Sequence, residues 1–169
     1  MEQNLNIILI GMPGSGKSTV GVILAKMMTR PYLDTDILIQ LVTSSSLQQI
    51  VDSKGHMALR KIEEDVLLDI NCVNHIIATG GSAAYSDPAM IHLKKNGIIV
   101  FLDASLTTLK SRIKNYETRG LAKRPDQSFQ DLFDERHELY NRYADIIIPS
   151  NDSSQEEVAE MIISKSMNI

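Results

Sequence analysis

Apolar residues in this chain form short continuous runs, separated by longer stretches in which they recur every three or four positions. The runs at 6–10, 32–34, 75–78, 98–102 and 146–148 are dominated by Ile, Val and Leu, the pattern of strands covered on both faces. Between them, 17–28 carries Val20, Ile23, Leu24 and Met27 at helical spacing, and 58–70 carries Ile62, Val66, Leu67 and Ile70. Leu106, Leu109 and Ile113 predict a further helix, as do Leu132, Phe133, Leu139 and Tyr140. Ser46 with Gln49, and Ser154 with Glu157, have the spacing at which two side chains satisfy the free N–H groups of a helix start, so helices should begin at Leu47 and Gln155. Strands alternating with helices imply a parallel sheet with helices on both faces, an α/β doubly wound core of five strands.

One stretch follows neither period. Residues 115–128 contain Arg119, Lys123 and Arg124 together with Gly120 and Pro125, and few apolar anchors. The stretch reads as a mobile, positively charged loop between two helices, the layout of a lid.

Composition narrows the classes. A chain of 169 residues, 43% hydrophobic, can bury one sizeable core, so a single domain over 1–169 is expected. With 17 basic against 21 acidic side chains the net charge is -4, which gives no cationic field for nucleic acid. The single Cys72 reads as a small core residue, no Cys/His spacing fits a metal, and no apolar run approaches the roughly 20 residues of a membrane span. No signal-type segment opens the chain, and a cytoplasmic protein is expected.

The chemistry begins at "GMPGSGKST". Gly11, Gly16, Lys17 and Ser18 fit G-x-x-x-x-G-K-[ST] between a predicted strand and a predicted helix, the context in which the motif cradles a nucleoside triphosphate. The glycines let successive N–H groups turn inward, and the helix dipole adds positive potential. Contacts to ATP are assigned to Gly14, Ser15, Gly16, Lys17, Ser18 and Thr19; Lys17 would bridge the β- and γ-phosphates and the Ser18 hydroxyl would ligate Mg²⁺.

Four places bear on the acceptor. Asp34 and Asp36, two apart at the end of the second strand, would project from one face into the crevice beside the phosphate loop, unless one caps the next helix. Arg60 precedes Glu63 and Glu64 by three and four residues. This is the spacing of a surface ion pair, or of a guanidinium held by Glu63 to grip a carboxylate. Gly80 and Gly81 end a strand where backbone can approach a ligand closely. Arg136 follows the bases of the loop.

"GMPGSGKST", "YLDTD", "LRKIEED", "ATGG" and "ERHELYNRYAD" occur in the order and spacing of shikimate kinase, and the chain resembles that family over nearly its whole length. The resemblance implies a three-layer α/β/α P-loop kinase fold with strand order 2-3-1-4-5, a substrate-binding subdomain at about 36–62 and a lid at about 115–128. It implies transfer of the γ-phosphoryl group of ATP to the 3-hydroxyl of shikimate, with Mg²⁺, on the route to chorismate and aromatic amino acids. Asp34 then matches the magnesium-associated acid, and Asp36 the acid that binds the shikimate hydroxyls and acts as base. Arg60 and Arg136 match the arginines that clamp the carboxylate, with Gly80, Gly81 and Ser82 at the same pocket. Arg119 matches a lid arginine reaching the phosphates, and Arg112 one that flanks the adenine. A monomer is expected.

The chain departs from the family pattern at Ser82, where a third glycine is usual, and at His56 and Leu59, which replace an acid and an aromatic. It departs again in the lid, where the family's R-P-L-L is Arg119-Gly120-Leu121-Ala122, with Gly120 and Ala122 in place of Pro and Leu, and at Gln40, where Glu is common. Two other readings stand beside this one: a sister kinase for another small hydroxylated acid such as gluconate, and a non-catalytic nucleotide or metabolite sensor. Arg60 and Arg136 discriminate the first. Both should fork onto one carboxylate-sized site facing Asp36 if shikimate is the acceptor, and one should point to solvent otherwise.

Overall fold

Strand β1 (Asn6–Ile10) is buried along its whole length and lies at the centre of the sheet. In the computed structural model, which describes residues 4–113 and 120–167, it pairs in parallel with β3 (Ile76–Ala78) and β4 (Gly97–Asp103). β2 (Tyr32–Asp34) lies beyond β3 and β5 (Ile146–Pro149) beyond β4, giving the order β2-β3-β1-β4-β5 with every pairing parallel. The five predicted runs are all strands, but His75 falls outside β3 while β4 and β5 extend past their apolar runs.

Side-chain alternation divides β1 between two cores. Ile8 and Ile10 pack with Leu67, Met90, Leu93, Leu109, Leu132 and Tyr140, which come from α4 (His56–Leu68), α5 (Asp87–Lys95), α6 (Leu106–Arg112) and α7 (Phe129–Tyr143). Ile7 and Leu9 pack on the other face with Val20 and Leu24 of α1 (Lys17–Met28) and Val158 and Ile162 of α8 (Gln155–Ser166). Each such side chain, once fully buried, contributes about 1.5–3 kcal/mol. The result is the three-layer α/β/α arrangement that the alternating pattern implies. Cys72 packs at the margin of the first core, and burial pushes its thiol up from the ordinary range. No described helix is long and apolar enough to cross a membrane.

A third apolar cluster lies outside the sheet. Ile39 of α2 (Thr35–Thr43), Ile50 of α3 (Leu47–Lys54) and Leu59 and Val66 of α4 enclose Ala122. α3 and α8 start where the sequence predicts, each with both hydrogen bonds of a capping box. α4 starts two residues before the predicted 58–70 span, because Gly55 at φ 84° turns the chain out of α3 and into α4 at once. It ends at Leu68, and Ile70 reaches the first core from the turn beyond.

Part of the predicted loop, 115–119 with Arg119, lies outside the described residues. Its remainder, 120–128, is irregular but anchored. Ala122 and Gln127 are buried, and the Gly120 N–H donates to Gln48 Oε1 at 2.7 Å. A Cβ at Gly120 would lie 2.7 Å from Leu47 Cβ, so only glycine permits this approach to α3.

Candidate active site

The turn from β1 into α1 depends on three left-handed glycines, Gly11, Gly14 and Gly16, at φ 144°, 85° and 102°. Side chains resist such values, and here they turn the loop back on itself around Lys17. The Lys17 ammonium, buried, donates to Gly11 O at 2.7 Å and Met12 O at 3.0 Å. Ser15 is buried beneath the loop, and its Oγ has no hydrogen-bond partner among the described residues.

β2 stops at Asp34 and α2 starts at Thr35, so Asp34 and Asp36 are not alternate residues of one strand as the spacing predicts. Asp34 instead caps α2, its Oδ1 accepting the Asp36 N–H at 3.0 Å. Its Oδ2 accepts from Ser18 Oγ at 2.8 Å and from the Tyr32 hydroxyl at 3.0 Å. The Tyr32 phenol is held above its usual range by burial and by Asp34. Asp36, two residues later, lines the cavity. Thr35 between them is fully buried, and its Oγ1 accepts the Gly80 N–H at 3.0 Å, tying the end of β2 to the glycine pair after β3.

A cavity of about 340 Å³ opens over these elements. One end is lined by Gly14, Gly16, Lys17, Ser18, Thr19, Arg112 and Gln155, and the other by Asp36, Glu63, Gly80, Gly81, Ser82 and Arg136. Arg112 donates to Ser150 O at 2.8 Å and Asn151 O at 3.3 Å, which fixes it at the mouth. Gln155, the first residue of α8, lies beside Gly16 with its Oε1 unpartnered. The capping box locates this residue at a helix start, but no local signal connects it to a loop more than a hundred residues away.

The glycine pair makes room for the protein's own side chains. A Cβ at Gly80 would collide with Glu63 Oε1 and lie 2.7 Å from Asp36 Oδ1. One at Gly81 would lie 2.7 Å from an Arg136 Nη1 and 2.9 Å from the Pro13 ring. The two carboxyls and the buried arginine therefore crowd one stretch of bare backbone.

Glu63 does not hold Arg60, as the helical spacing predicts. The Ser82 hydroxyl donates to Glu63 Oε2, and Glu64 accepts instead from Lys61 and Ser86. The hydroxyl of Ser82 is thereby turned to Glu63, although Ser82 itself lines the cavity. Glu63 is buried, with Oε1 unpartnered, and burial pushes its pKa up to about 7. Asp36 adds to the rise, while the Ser82 hydrogen bond, Arg136 and Lys17 oppose it.

Arg136 is buried and Arg60 half-buried; neither points to solvent. Each donates an Nη2 hydrogen to the same oxygen, Ala122 O, at 3.0 Å from Arg136 and 3.1 Å from Arg60. Burial lowers the Arg60 pKa from its ordinary value. Tyr140, one helical turn after Arg136, donates to Gly81 O at 2.5 Å and closes the wall behind it. Arg60 borders a neighbouring cavity rather than the main one. Asp34 and Ser15 do not line the main cavity.

Six buried side-chain atoms lack partners among the described residues: Ser15 Oγ, Arg60 Nε, Glu63 Oε1, Arg136 Nε, Ser150 Oγ and Gln155 Oε1. Buried polar atoms are ordinarily paired, because leaving one unpaired costs about 1–3 kcal/mol. Three of the six, on Glu63, Arg136 and Gln155, belong to residues that line the main cavity; Ser15 lies in the turn between β1 and α1, Arg60 borders the neighbouring cavity, and Ser150 meets Arg112 through its carbonyl.

The family model for shikimate kinase matches residues 13–166. The shikimate kinase of Rippkaea orientalis is 40% identical over 166 residues, 96% of this chain and 86% of its own. The fold is similar to that of Acinetobacter baumannii shikimate kinase in complex with shikimate, with a TM-score of 0.89 and 30% identity over 97% of this chain and 93% of that one. It is also similar to the Aquifex aeolicus shikimate kinase, with a TM-score of 0.83 and 34% identity over 97% of each chain. The family model and these relatives span nearly the whole chain, and this chain belongs to the shikimate kinase family.

Proposed function

We propose that this protein transfers the γ-phosphoryl group of ATP to the 3-hydroxyl of shikimate, releasing ADP and shikimate 3-phosphate. The observation that carries the reading is the convergence of Arg60 and Arg136 on a single oxygen beside the end of the cavity that holds Asp36. Two guanidiniums on one acceptor are matched to a carboxylate, whose negative charge holds both. The A. baumannii relative, 0.89 in TM-score, was solved with shikimate. A gluconate kinase or a silent sensor lacks comparable support: neither arginine points to solvent, and Lys17, Ser18, Asp34 and Asp36 are all in place at one end of the sheet.

Phosphoryl transfer depends on positioning and on neutralising charge at the moving group. Lys17 leaves the loop carbonyls to meet the β- and γ-phosphates, while the glycine-rich backbone supplies N–H donors. Asp36 accepts a hydrogen bond from the acceptor hydroxyl, orients its lone pair towards the γ-phosphorus and takes the proton as the P–O bond forms. Arg60 and Arg136 hold the acceptor's carboxylate, and Gly80 and Gly81 set its approach. Arg112 flanks the adenine, and Arg119 is the lid arginine assigned to the phosphates.

Among the described residues no group of three or more His, Cys, Asp or Glu forms a metal cage. The Ser18 hydroxyl and Asp34 carboxylate, 2.8 Å apart, are hard oxygen donors, and they fit Mg²⁺ arriving with nucleotide phosphates. When bound, that ion offsets phosphate charge.

The test is ADP release by the purified protein with ATP, Mg²⁺ and either shikimate or gluconate. Release that depends on shikimate is expected; release on gluconate alone overturns the reading.

A further inference from the structure

Tyr85 ends the short turn Ala83–Tyr85 that follows the glycine pair and Ser82. Its ring centre is 3.5 Å from Arg60 Cζ and 5.5 Å from Arg136 Cζ. Two cations brought to one oxygen repel each other, and the acid that sequence spacing offers Arg60 is bonded to Ser82 instead. Arg60 and Tyr85 together border a second cavity of about 270 Å³, also lined by Met57, Lys61, Glu64 and Ser86.

The negative face of an aromatic ring attracts a guanidinium stacked on it, and most strongly where water is excluded. Tyr85 presents that face. Its hydroxyl donates to Glu135, which also accepts from Arg124 and Gln127, so the ring is fixed from the end opposite its turn. Arg60 Nε has no hydrogen-bond partner among the described residues, and its Nη2 donates to Ala122 O. The stacked ring and the Ala122 carbonyl together therefore set the direction of the guanidinium plane, and the Glu135 carboxylate that holds Tyr85 also attracts Arg60.

We propose that Tyr85 is a positioning residue for the acceptor: its ring holds the Arg60 guanidinium beside Arg136, so that the pair presents one fork to the acceptor's carboxylate. The proposal rests on the acceptor reading above and deepens it. Tyr85 acts through Arg60 and need not touch the acceptor.

The experiment compares wild type, Tyr85→Phe and Tyr85→Leu, with shikimate and with its methyl ester as acceptors. Tyr85→Leu is expected to raise the KM for shikimate about tenfold while changing kcat and the KM for ATP less than about twofold. Tyr85→Phe, which keeps the ring, should recover most of that loss. With the ester, which carries no charge for the arginines to grip, the penalty of Tyr85→Leu should fall below about twofold. An unchanged KM in Tyr85→Leu, or an equal penalty on acid and ester, overturns the proposal.

If leucine at 85 compromises folding, phenylalanine with successive fluorines at 85 keeps the shape while withdrawing charge from the ring face. The KM for shikimate should then climb with each fluorine, and a flat series overturns the proposal. A wild-type protein with no shikimate-dependent ADP release defeats the acceptor reading itself. Wild-type turnover combined with an insensitive Tyr85 defeats only this inference.

Discussion

The phosphate loop reaches the cavity from one turn, between β1 and α1. The acceptor end is gathered from α2, α4, the end of β3, the turn that follows it and α7. At the donor end, function follows from backbone: three left-handed glycines and one lysine within a few residues. At the acceptor end it follows from side chains whose direction depends on what packs beside them. Arg60 is directed by Tyr85 and Ala122, Glu63 by Ser82, and Asp36 by the cap that Asp34 makes. A loop made of backbone tolerates little change, whereas an assembled wall can be rebuilt by single substitutions. This difference is why a phosphate loop alone does not name an acceptor.

The comparison breaks hardest at Lys17. Lys17→Ala removes a cation from the transferring phosphate and should lower kcat by about a hundredfold or more, read in the ADP assay. Near-normal turnover would remove the loop from the chemistry.

Gly81→Ala tests whether the acceptor end is equally intolerant where it is backbone. Its new Cβ would press on Arg136 and the Pro13 ring, one buried and the other rigid. Overpacking of this kind costs about 1–3 kcal/mol and should both lower Tm and raise the KM for shikimate. A variant with wild-type Tm and KM would mean that the wall gives way easily.

Arg60→Lys replaces a planar fork by a point charge. The KM for shikimate should rise about tenfold, as expected when one charge-assisted hydrogen bond is lost, and the KM for ATP should stay near its wild-type value. Equal changes in both would place Arg60 in general stability instead.

The last effect, on stability rather than turnover, is a pH dependence at Glu63. Its folded pKa of about 7 lies above the ordinary 4.5, so between those values the folded state holds a proton that the unfolded state has released. Stability from this group is present at low pH and declines as pH rises through about 7. Glu63→Gln cannot lose that proton. The Tm of wild type should therefore fall relative to Glu63→Gln between about pH 5 and about pH 8 in thermal melts. Parallel curves would show that Glu63 stays ionised throughout.

The donor end was legible in the sequence because its signal is contiguous, as were the five strands and the capped starts of α3 and α8. Asp36, Gly80, Gly81 and Arg136 could be named as acceptor residues from motifs that resemble a family, and the cavity brings them together. The pairing of Glu63 with Arg60 could not be decided that way. Helical spacing of three permits it, but Ser82 lies nineteen residues later and reaches Glu63 only once β3 is beside α4. Tyr85 carries no local signal at all, because its value lies in a ring facing a guanidinium twenty-five residues earlier.

The sequence by itself determined the α/β class, the phosphate loop and the residue types available for the acceptor. Periodicity, capping and glycine conformation act over a few neighbouring residues and leave their record there. Tertiary structure alone decided which carboxyl faces which arginine, that Asp34 caps while Asp36 enters the cavity, and that Ala122 O receives both guanidiniums. Those outcomes depend on burial and on distances between residues far apart in the chain. Charges exchange their partners readily in water, and only the packed core fixes one set.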